Sequence, residues 1–409
     1  MSPDGCPAPC IFAQNRSVEP SPRVDFNDTA TAFSGRSDKA LKWEYQLFSM
    51  MNNPTLTSML TTLANLSIKM HLPVKWVIKK TVYEQFCGGE TLEETQKVLA
   101  ELERFGVSAI IDYGVEGKES TAEFERTRNE LIRIIRFAAG KKNIPFISCK
   151  VTGLTAFSLL EKLNTGAALT NAEQAEKDAL YERMFSIAGA AAEHGIGLFV
   201  DAEESWIQDA IDELTFELMR RFNKKKAVVF STPQMYRHDR LAFCERSLKD
   251  ALKHHYILGL KPVRGAYMEK ERKRAADMGY ADPIQPDKAA TDRDYDAVVR
   301  FSLDHIDTIV LCAATHNEHS SQLLANAMQD MGIPANHPHI WFSQLFGMSD
   351  QITFNLAKGG FNVAKYLPYG PVKDVIPYLI RRAQENRSVS GQMSREFTLI
   401  HKEICRRGI

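Results

Sequence analysis

Short hydrophobic runs of strand length recur along the chain after residue 105, and each is followed by a longer stretch with the spacing of an amphipathic helix. The eight runs lie at residues 108–115, 146–153, 197–204, 227–234, 256–266, 308–315, 339–346 and 362–370. Continuously apolar strands that alternate with helices are typical of a parallel sheet covered on both faces. Eight such units predict an α/β protein with a (β/α)8 barrel over residues 105–390. The alternative is a doubly wound open sheet, although no G-x-G-x-x-G motif opens a helix as in dinucleotide-binding folds.

The segments on either side of the predicted barrel have a different pattern. Residues 1–24 are rich in Pro and Ser, which predicts a disordered lead-in. Residues 25–104 have helical periodicity, with Ser37 as a candidate N-cap and Thr91 beginning a Thr-x-x-Glu capping-box spacing. Residues 391–409 predict a C-terminal helical extension. We therefore expect an N-terminal α-helical segment in front of the barrel.

Composition narrows the classes of function and the compartment. The chain has 51 basic and 51 acidic residues, which argues against a nucleic-acid-binding protein because phosphate contacts need a basic excess or a basic face. Cysteines lie inside apolar runs, as Cys149 and Cys312 do, which is typical of a reducing compartment. We expect a cytoplasmic protein, with the mitochondrial matrix as the alternative.

No run reaches the roughly 20 apolar residues of a membrane helix. Residues 67–80 mix apolar and basic side chains, as in a core helix or in one that touches a membrane surface.

Polar residues close each of the eight runs, where the strand ends of a barrel converge on one mouth. They are Asp112, Glu116, Lys150, Asp201, Glu203, Glu204, Gln234, Tyr236, Lys261, Arg264, Thr315, His316, Asn317, Gln344 and Tyr366. Most of them can equally enter a solvated loop. Lys150, Asp201 and Lys261 lie within or directly after apolar residues, and a buried charge must be paired or must bind a charged group.

The helix that follows the eighth run carries two adjacent arginines. Pro371 suits its first turn, and Tyr378, Arg382 and Glu385 share one face at 100° per residue. Arg381 lies four residues before Glu385. Guanidinium groups held in this way form a fork for a small anion, whereas the alternative is an exposed helix with ordinary ion pairs.

Several histidines raise the alternative of a metal-dependent hydrolase. His316 and His319 lie after the sixth run, and His337 and His339 lie near the seventh. A barrel hydrolase needs a matched ligand set with members early in the barrel, and the first run offers only Asp112. We therefore predict no metal site. A catalytically inactive barrel that serves as a scaffold is a further alternative.

Six motifs in order make the chain resemble proline dehydrogenase, the FAD-dependent barrel enzyme that begins proline catabolism. The motifs are ISCKVTGL, VDAEES, QMY, KPVRGAYMEKER, ATHNEHS and KYLPYGPVKDVIPYLIRRAQEN, and the resemblance extends over roughly residues 80–390. It implies oxidation of L-proline to 1-pyrroline-5-carboxylate by hydride transfer to FAD, with a quinone as the electron acceptor. The flavin is implied by these motifs and not by the periodicity.

The resemblance also implies roles for individual residues at the substrate. Arg381, Arg382 and Lys150 would bind the proline carboxylate. The pyrrolidine ring would lie between Tyr366, Tyr378 and Leu345, and Asp201 would belong to the network beneath it. Glu116 would form an ion pair with Arg381 that closes the mouth. Related hydroxyproline dehydrogenases have a smaller residue at the Tyr366 position, so a tyrosine there favours proline over 4-hydroxyproline.

A second set of residues would contact FAD by the same resemblance. The set is Gln234, Lys261, Arg264, Gly265, Ala266, Thr315, His316, Asn317, Gln344 and Glu385. Two positions depart from many bacterial members of the family. Lys261 stands where they have Arg beside the flavin N5, and Met268 stands where some have Trp.

Overall fold

The computed structural model describes residues 23–51, 82–114, 119–372, 374–375, 378–379 and 390–409. At its centre is a closed barrel of eight parallel strands that follow one another in chain order. The strands are β1 (Ser108–Tyr113), β2 (Phe146–Cys149), β3 (Gly197–Val200), β4 (Val229–Ser231), β5 (Leu258–Leu260), β6 (Ile309–Ala314), β7 (Ile340–Leu345) and β8 (Val363–Tyr369). β8 pairs with β1 from Ser108↔Ala364 to Tyr113↔Tyr369. This closure confirms the predicted (β/α)8 barrel, and the alternative of an open doubly wound sheet is wrong.

Helices precede the barrel, alternate with its strands and follow it. Before β1 lie α1 (Thr29–Ala32), α2 (Asp38–Met51), α3 (Glu84–Phe86) and α4 (Thr95–Arg104). Between the strands lie α5 (Thr121–Ala138), α6 (Phe157–Thr165), α7 (Asn171–His194), α8 (Ser205–Phe222), α9 (Arg240–His254), α10 (Met268–Met278), α11 (Lys288–Asp304), α12 (Glu318–Asp330) and α13 (Asp350–Lys358). After β8 lies α14 (Ser390–Arg407). The predicted helical segment is present in the described residues before β1.

Two predicted helix starts have different outcomes. Ser37 accepts a hydrogen bond from the Ala40 backbone N–H at 3.2 Å, directly before α2. Thr91 accepts from the Glu94 N–H at 3.3 Å, but the Glu94 carboxylate accepts from the Glu90 N–H instead of closing the box on Thr91. α4 consequently begins at Thr95, and the predicted capping box is wrong in its second half.

The terminal helices pack on one another beside the barrel. Tyr45 of α2 and Phe397 of α14 stack with their ring centroids 4.5 Å apart. Leu41 and Ile400 are fully buried in the same apolar cluster. The C-terminal helical extension is therefore docked on the N-terminal helical segment. The predicted disordered lead-in, residues 1–24, lies outside the described residues apart from its last two positions.

Alternate strand residues fill the inside of the barrel in layers. Phe146 and Phe199 stack with centroids 4.7 Å apart, and Phe230 packs edge-on against both. Gly259 makes room for them, because a Cβ at this position would lie 2.7 Å from the Phe230 ring. This aromatic layer closes the amino-terminal half of the barrel. The next inward position along each strand lies nearer the carboxyl end, where the polar residues begin.

The cysteines of the described residues are free thiols. Cys87, Cys149, Cys244 and Cys312 are buried, while Cys405 is exposed. The buried thiols lie among apolar side chains and act as small packing groups. Among the helices that the structure describes, none is long and apolar enough to cross a membrane.

Candidate active site

Four of the predicted residues meet at the carboxyl-terminal mouth of the barrel. Lys150, Asp201 and Lys261 each directly follow a strand, and Tyr366 lies within β8. The alternation of a β-strand explains the convergence. Asp201 comes two residues after the inward Phe199, so its side chain also points into the barrel.

The Asp201 carboxylate joins these four side chains. Its Oδ2 lies 3.1 Å from Lys150 Nζ and accepts a hydrogen bond from the Tyr366 hydroxyl at 2.7 Å. Its Oδ1 accepts from the Lys261 ammonium group. Lys261 also lies 5.2 Å from the centre of the Tyr366 ring, within the range of a cation–π contact. The charged residues that the sequence placed at separate strand ends therefore form one network.

The charges of this network are fixed by their mutual contacts. Burial by itself raises the pKa of Asp201, but the ammonium groups of Lys261 and Lys150 outweigh it and hold that pKa well below its usual range. Two cations share one carboxylate, which leaves the trio with one positive charge in excess. A buried positive excess favours binding of an anion.

Two further residues extend the network, and only one of them was singled out from the sequence. The Ser148 hydroxyl lies 2.8 Å from Asp112 Oδ1 and 2.9 Å from the Tyr366 hydroxyl. Asp112 is a predicted strand-end residue, whereas Ser148 was missed. The signal was present, because Ser148 is two residues before Lys150 on β2 and hence faces inward with it.

The three residues expected to surround a substrate ring all lie within the described part of the chain. Leu345 on β7 is in register with Tyr366 on β8. Tyr378 is buried and helical, in an apolar cluster against which Leu345 packs. The structure thus brings these three expected wall residues to one side of the mouth.

Several residues of the expected FAD set gather beside the start of α12. Arg264 donates to Thr315 Oγ1 at 2.7 Å and to Ser320 Oγ at 2.9 Å. Its Nε donates to Asp292 at 2.7 Å, and its guanidinium lies 4.4 Å from the centre of the Tyr295 ring. Asp292 and Tyr295 belong to α11, about thirty residues away in sequence, so no local pattern could have paired them with Arg264.

Other members of the expected FAD set form hydrogen bonds with nearby backbone or side-chain groups. Gln344 Nε2 donates to the Thr315 carbonyl at 3.2 Å, and Gln234 Nε2 donates to the Glu203 carbonyl at 2.7 Å. Asn317 accepts from the Ser320 N–H at 3.1 Å and so caps α12. His316 Nδ1 lies 2.8 Å from Ser349 Oγ.

The loop between β5 and α10 approaches Tyr236 closely. Gly265 has φ 128°, and a Cβ there would lie 2.6 Å from the Tyr236 ring. Ala266 follows it and is exposed. A larger residue at position 265 would displace this loop, so the glycine is required by the local packing.

A buried glutamate lies next to the network. Glu203 accepts from the Thr152 N–H at 3.0 Å and from its hydroxyl. Burial raises the pKa of Glu203 to about 7, although the Thr152 hydrogen bonds and Lys150 oppose this. Burial therefore favours the protonated form of this carboxyl group.

Four predicted site residues lie outside the described residues. They are Glu116, Arg381, Arg382 and Glu385. Their roles in closing the mouth, binding the substrate and contacting the cofactor stay predictions.

The histidines do not converge in the described structure. His339 Nδ1 lies 2.7 Å from the Ile306 carbonyl at the amino-terminal end of β7, away from His316. His319 is exposed and lies 3.7 Å from Asp296. Within the described ranges, no group of three or more His, Cys, Asp or Glu side chains is arranged to hold a metal ion.

Comparison with known proteins decides the family of the chain. The family model described as proline dehydrogenase matches residues 95–395, which include every strand of the barrel. The chain belongs to the proline dehydrogenase family. It is accordingly an oxidoreductase that oxidises proline in proline degradation. The metal-dependent hydrolase alternative does not agree with this assignment.

Curated relatives of the family cover most of the chain. The carbapenem antibiotics biosynthesis protein CarD of Pectobacterium carotovorum is 35% identical over 79% of this chain and 83% of its own length. Proline dehydrogenase 1, mitochondrial, of Dictyostelium discoideum is 30% identical over 93% of this chain and 74% of its own length. Hydroxyproline dehydrogenase of Xenopus laevis is 31% identical over 81% of this chain and 79% of its own length.

A solved structure has the same fold. Proline utilization A (PutA) from Bdellovibrio bacteriovorus, in a crystal structure of the protein inactivated by N-propargylglycine, superposes with a TM-score of 0.67 at 20% identity. The match covers 88% of this chain but 38% of that longer one. It supports the barrel of the proline dehydrogenase family.

Proposed function

We propose that the chain catalyses FAD-dependent oxidation of L-proline to 1-pyrroline-5-carboxylate, the first step of proline catabolism, and that a quinone receives the electrons. One observation carries the proposal. The buried Lys261 and the half-buried Lys150 share the Asp201 carboxylate at the mouth of a proline dehydrogenase barrel, and this leaves a positive excess suited to a substrate carboxylate.

The residues present fit an FAD molecule. Arg264 and Thr315 adjoin the N-terminus of α12, where the helix dipole favours phosphate. Gly265 lets the backbone of this loop pass close to the Tyr236 ring. Lys261, at the Asp201 network, would stand beside the isoalloxazine ring. Gln344 and Gln234 supply polar groups at the neighbouring strand ends.

FAD, when bound, accepts the hydride and supplies the redox chemistry. The side chains of the chain supply position and charge. Lys150, with Arg381 and Arg382 as expected partners, would hold the carboxylate end of proline. Tyr366, Tyr378 and Leu345 would restrict rotation of its ring, so that the carbon beside the nitrogen stays in a reactive orientation. Asp201 keeps Lys150 and Lys261 in place and charged.

A visible spectrum of the purified protein tests cofactor and substrate together. We expect a yellow protein whose flavin band bleaches when L-proline is added without oxygen. Trans-4-hydroxy-L-proline, added in parallel, should bleach the band much more slowly because Tyr366 crowds a 4-hydroxyl group. A colourless protein would overturn the FAD assignment, and faster bleaching by hydroxyproline would identify a hydroxyproline dehydrogenase, as one relative is named.

The expected carboxylate clamp has its own test. Replacing Arg382 with Met should raise the KM for proline more than hundredfold, because a charge-assisted hydrogen bond worth about 3 kcal/mol is lost. The matched control is Arg246→Met on the exposed face of α9, which should leave KM unchanged. Wild-type kinetics in Arg382→Met would remove this residue from the clamp.

The electron acceptor and compartment complete the proposal. We infer a quinone acceptor. Residues 67–80, which lie outside the described residues, have the composition of a core helix or, as the alternative, of a helix that contacts a membrane surface. The cytoplasm is the proposed compartment, and the mitochondrial matrix is the alternative because a relative is named as mitochondrial. Reduction of a soluble ubiquinone analogue by proline, with and without liposomes, tests the acceptor and the membrane contact.

A further inference from the structure

Four side chains at the mouth form an unbroken row of hydrogen-bonding groups. Asp112 and Ser148 are 2.8 Å apart, Ser148 and Tyr366 are 2.9 Å apart, and Tyr366 and Asp201 are 2.7 Å apart. Each distance lies in the range of an O–H···O hydrogen bond. The row therefore contains three hydrogen bonds, and each requires one proton.

The hydroxyl groups of the row supply only two protons. Ser148 and Tyr366 each carry one. The Tyr366 proton goes to Asp201, which two ammonium groups keep ionised. The Ser148 hydroxyl can then donate its proton either to Asp112 or to Tyr366. Without a further proton, the oxygens at the other contact would repel each other, because each would present only lone pairs. A proton on Asp112 removes this conflict.

The surroundings of Asp112 favour the protonated form of its carboxyl group. Asp112 is 5% exposed, and among the described residues it forms no salt bridge. Burial raises the pKa of Asp112, with Asp201 adding to the rise and Lys150 and the hydrogen bonds of Ser148 and Tyr366 opposing it. The titratable, charged and hydroxyl groups near Asp112 are Cys87 before α4, Ser148, Cys149 and Lys150 at the end of β2, Asp201 after β3 and Tyr366 on β8.

We propose that Asp112 is a neutral carboxylic acid that donates to Ser148, which donates to Tyr366, which donates to Asp201, so that Asp112 and Ser148 act as positioning residues for the Tyr366 ring. The direction of the chain has two effects. The only proton of Tyr366 points to Asp201, and the network keeps one net positive charge, because two ammonium groups face a single carboxylate.

The consequence for substrate binding rests on the proposed function. With its proton committed to Asp201 and its oxygen accepting from Ser148, the Tyr366 hydroxyl has little capacity left for a hydroxyl group on a substrate ring. Ser148 and Asp112 would thus contribute to the preference for proline over hydroxyproline without contacting either molecule.

Infrared spectroscopy of the purified protein shows directly whether the Asp112 carboxyl group is protonated, and the measurement needs no substrate. We expect a carboxylic acid C=O band that disappears in Asp112→Asn. Subtracting the variant from the wild type isolates Asp112 from other buried acids such as Glu203 and Glu396. In Ser148→Ala the same band should move to higher frequency, because its acceptor is lost. No difference band in either variant would overturn the proposal.

Kinetics test the positioning role. Asp112→Asn keeps an N–H donor toward Ser148, so its KM for proline should stay within about threefold of the wild type. Asp112→Leu and Ser148→Ala remove the chain, and each should raise KM about tenfold with flavin content unchanged. The double variant Asp112→Leu/Ser148→Ala should have a KM for proline no higher than that of either single variant. Equal impairment of Asp112→Asn and Asp112→Leu would refute the neutral acid.

The pH profile separates the neutral acid from a merely structural role. The wild type should lose affinity for proline as the pH rises and Asp112 ionises, whereas Asp112→Asn should lack that loss. Failure of proline to bleach the flavin would overturn the proposed function alone, since the infrared band would still report the proton on Asp112.

Discussion

At the scale of single residues, the mouth of the barrel depends on ion pairs that are largely buried. Asp201 is 7% exposed and Lys261 is 4% exposed, so neither group can be solvated if its partner is removed. A buried pair contributes little net stability when compared with an apolar pair, but breaking it leaves an uncompensated charge. We therefore expect these residues to affect stability as well as the proposed substrate binding.

Replacing Asp201 with Ala should destabilise the protein by about 3 kcal/mol or more, because two ammonium groups at the mouth lose their shared carboxylate. Urea unfolding monitored by far-UV circular dichroism measures the change in the free energy of unfolding. Asp209→Ala is the matched control, since that side chain is 66% exposed and lies 3.6 Å from Arg240. The control should change stability by less than about 0.5 kcal/mol, and an equal effect of both variants would contradict the prediction.

At the scale of elements, α14 carries two buried glutamates in opposite electrostatic environments. Burial, with Asp350 and Glu44 adding to it, raises the pKa of Glu396 to about 8. Burial also acts on Glu403, but hydrogen bonds from Arg406 and Arg407 outweigh it and lower its pKa to about 2. The folded state therefore favours the neutral form of Glu396 and the ionised form of Glu403, although both belong to α14.

The two glutamates predict opposite pH dependences of stability. The contribution of Glu396 is fully present below about pH 4.3, the pKa of an unfolded glutamate, and is lost as the pH rises through about 8. Glu396→Gln cannot ionise, so it should gain a few kcal/mol relative to the wild type as the pH rises across this window. Urea unfolding at several pH values provides the measurement.

Glu403→Gln on the same helix is the contrasting variant. The contribution of Glu403 is present above about pH 4.3 and is lost as the pH falls through about 2. This variant should be less stable than the wild type at neutral pH, and the difference should shrink in acid. Parallel pH profiles of the two variants would show that their environments are not opposite.

At the scale of the whole molecule, the described terminal helices close on one another and on the barrel. Arg407 of α14 donates to the Phe33 carbonyl at 2.7 Å and to Asp38 at 3.0 Å. Arg36 pairs with Asp350 at 2.9 Å at the start of α13, and Asp350 pairs with the fully buried Lys365 of β8 at 2.8 Å. Charged contacts thus connect the two ends of the described chain to the last barrel unit.

Replacing Arg407 with Ala should loosen α1 and α2, because their carbonyl and carboxylate partners lose a common donor. We expect faster amide hydrogen exchange in residues 29–51 with little change in the barrel strands. Arg406→Ala is a close control, since the Arg406 side chain is 52% exposed and pairs with Glu403 of its own helix. Equal amide hydrogen exchange of residues 29–51 in both variants would show that Arg407 does not stabilise the N-terminal helices.

The sequence predicts the fold of this protein more completely than it predicts the contacts of the site. Eight apolar runs predict eight strands because a strand buried on both faces must be apolar throughout. The strands are shorter than the runs, as at β2, which ends at Cys149, because the polar ends leave the sheet for the mouth. Sequence motifs identified Lys150, Asp201, Lys261 and Tyr366, which the structure brings together, while the contributions of Arg381 and Arg382 stay predictions.

The sequence by itself determined the barrel, the family and the identity of the charged residues at the strand ends, since periodicity and motifs are local properties of the chain. Only the tertiary structure decided which groups meet. Ser148 touches Tyr366 across 218 positions of sequence, and Arg264 finds Asp292 on a different helix. The number of protons in a network depends on such contacts, because it follows from how many oxygens face one another and how little water reaches them.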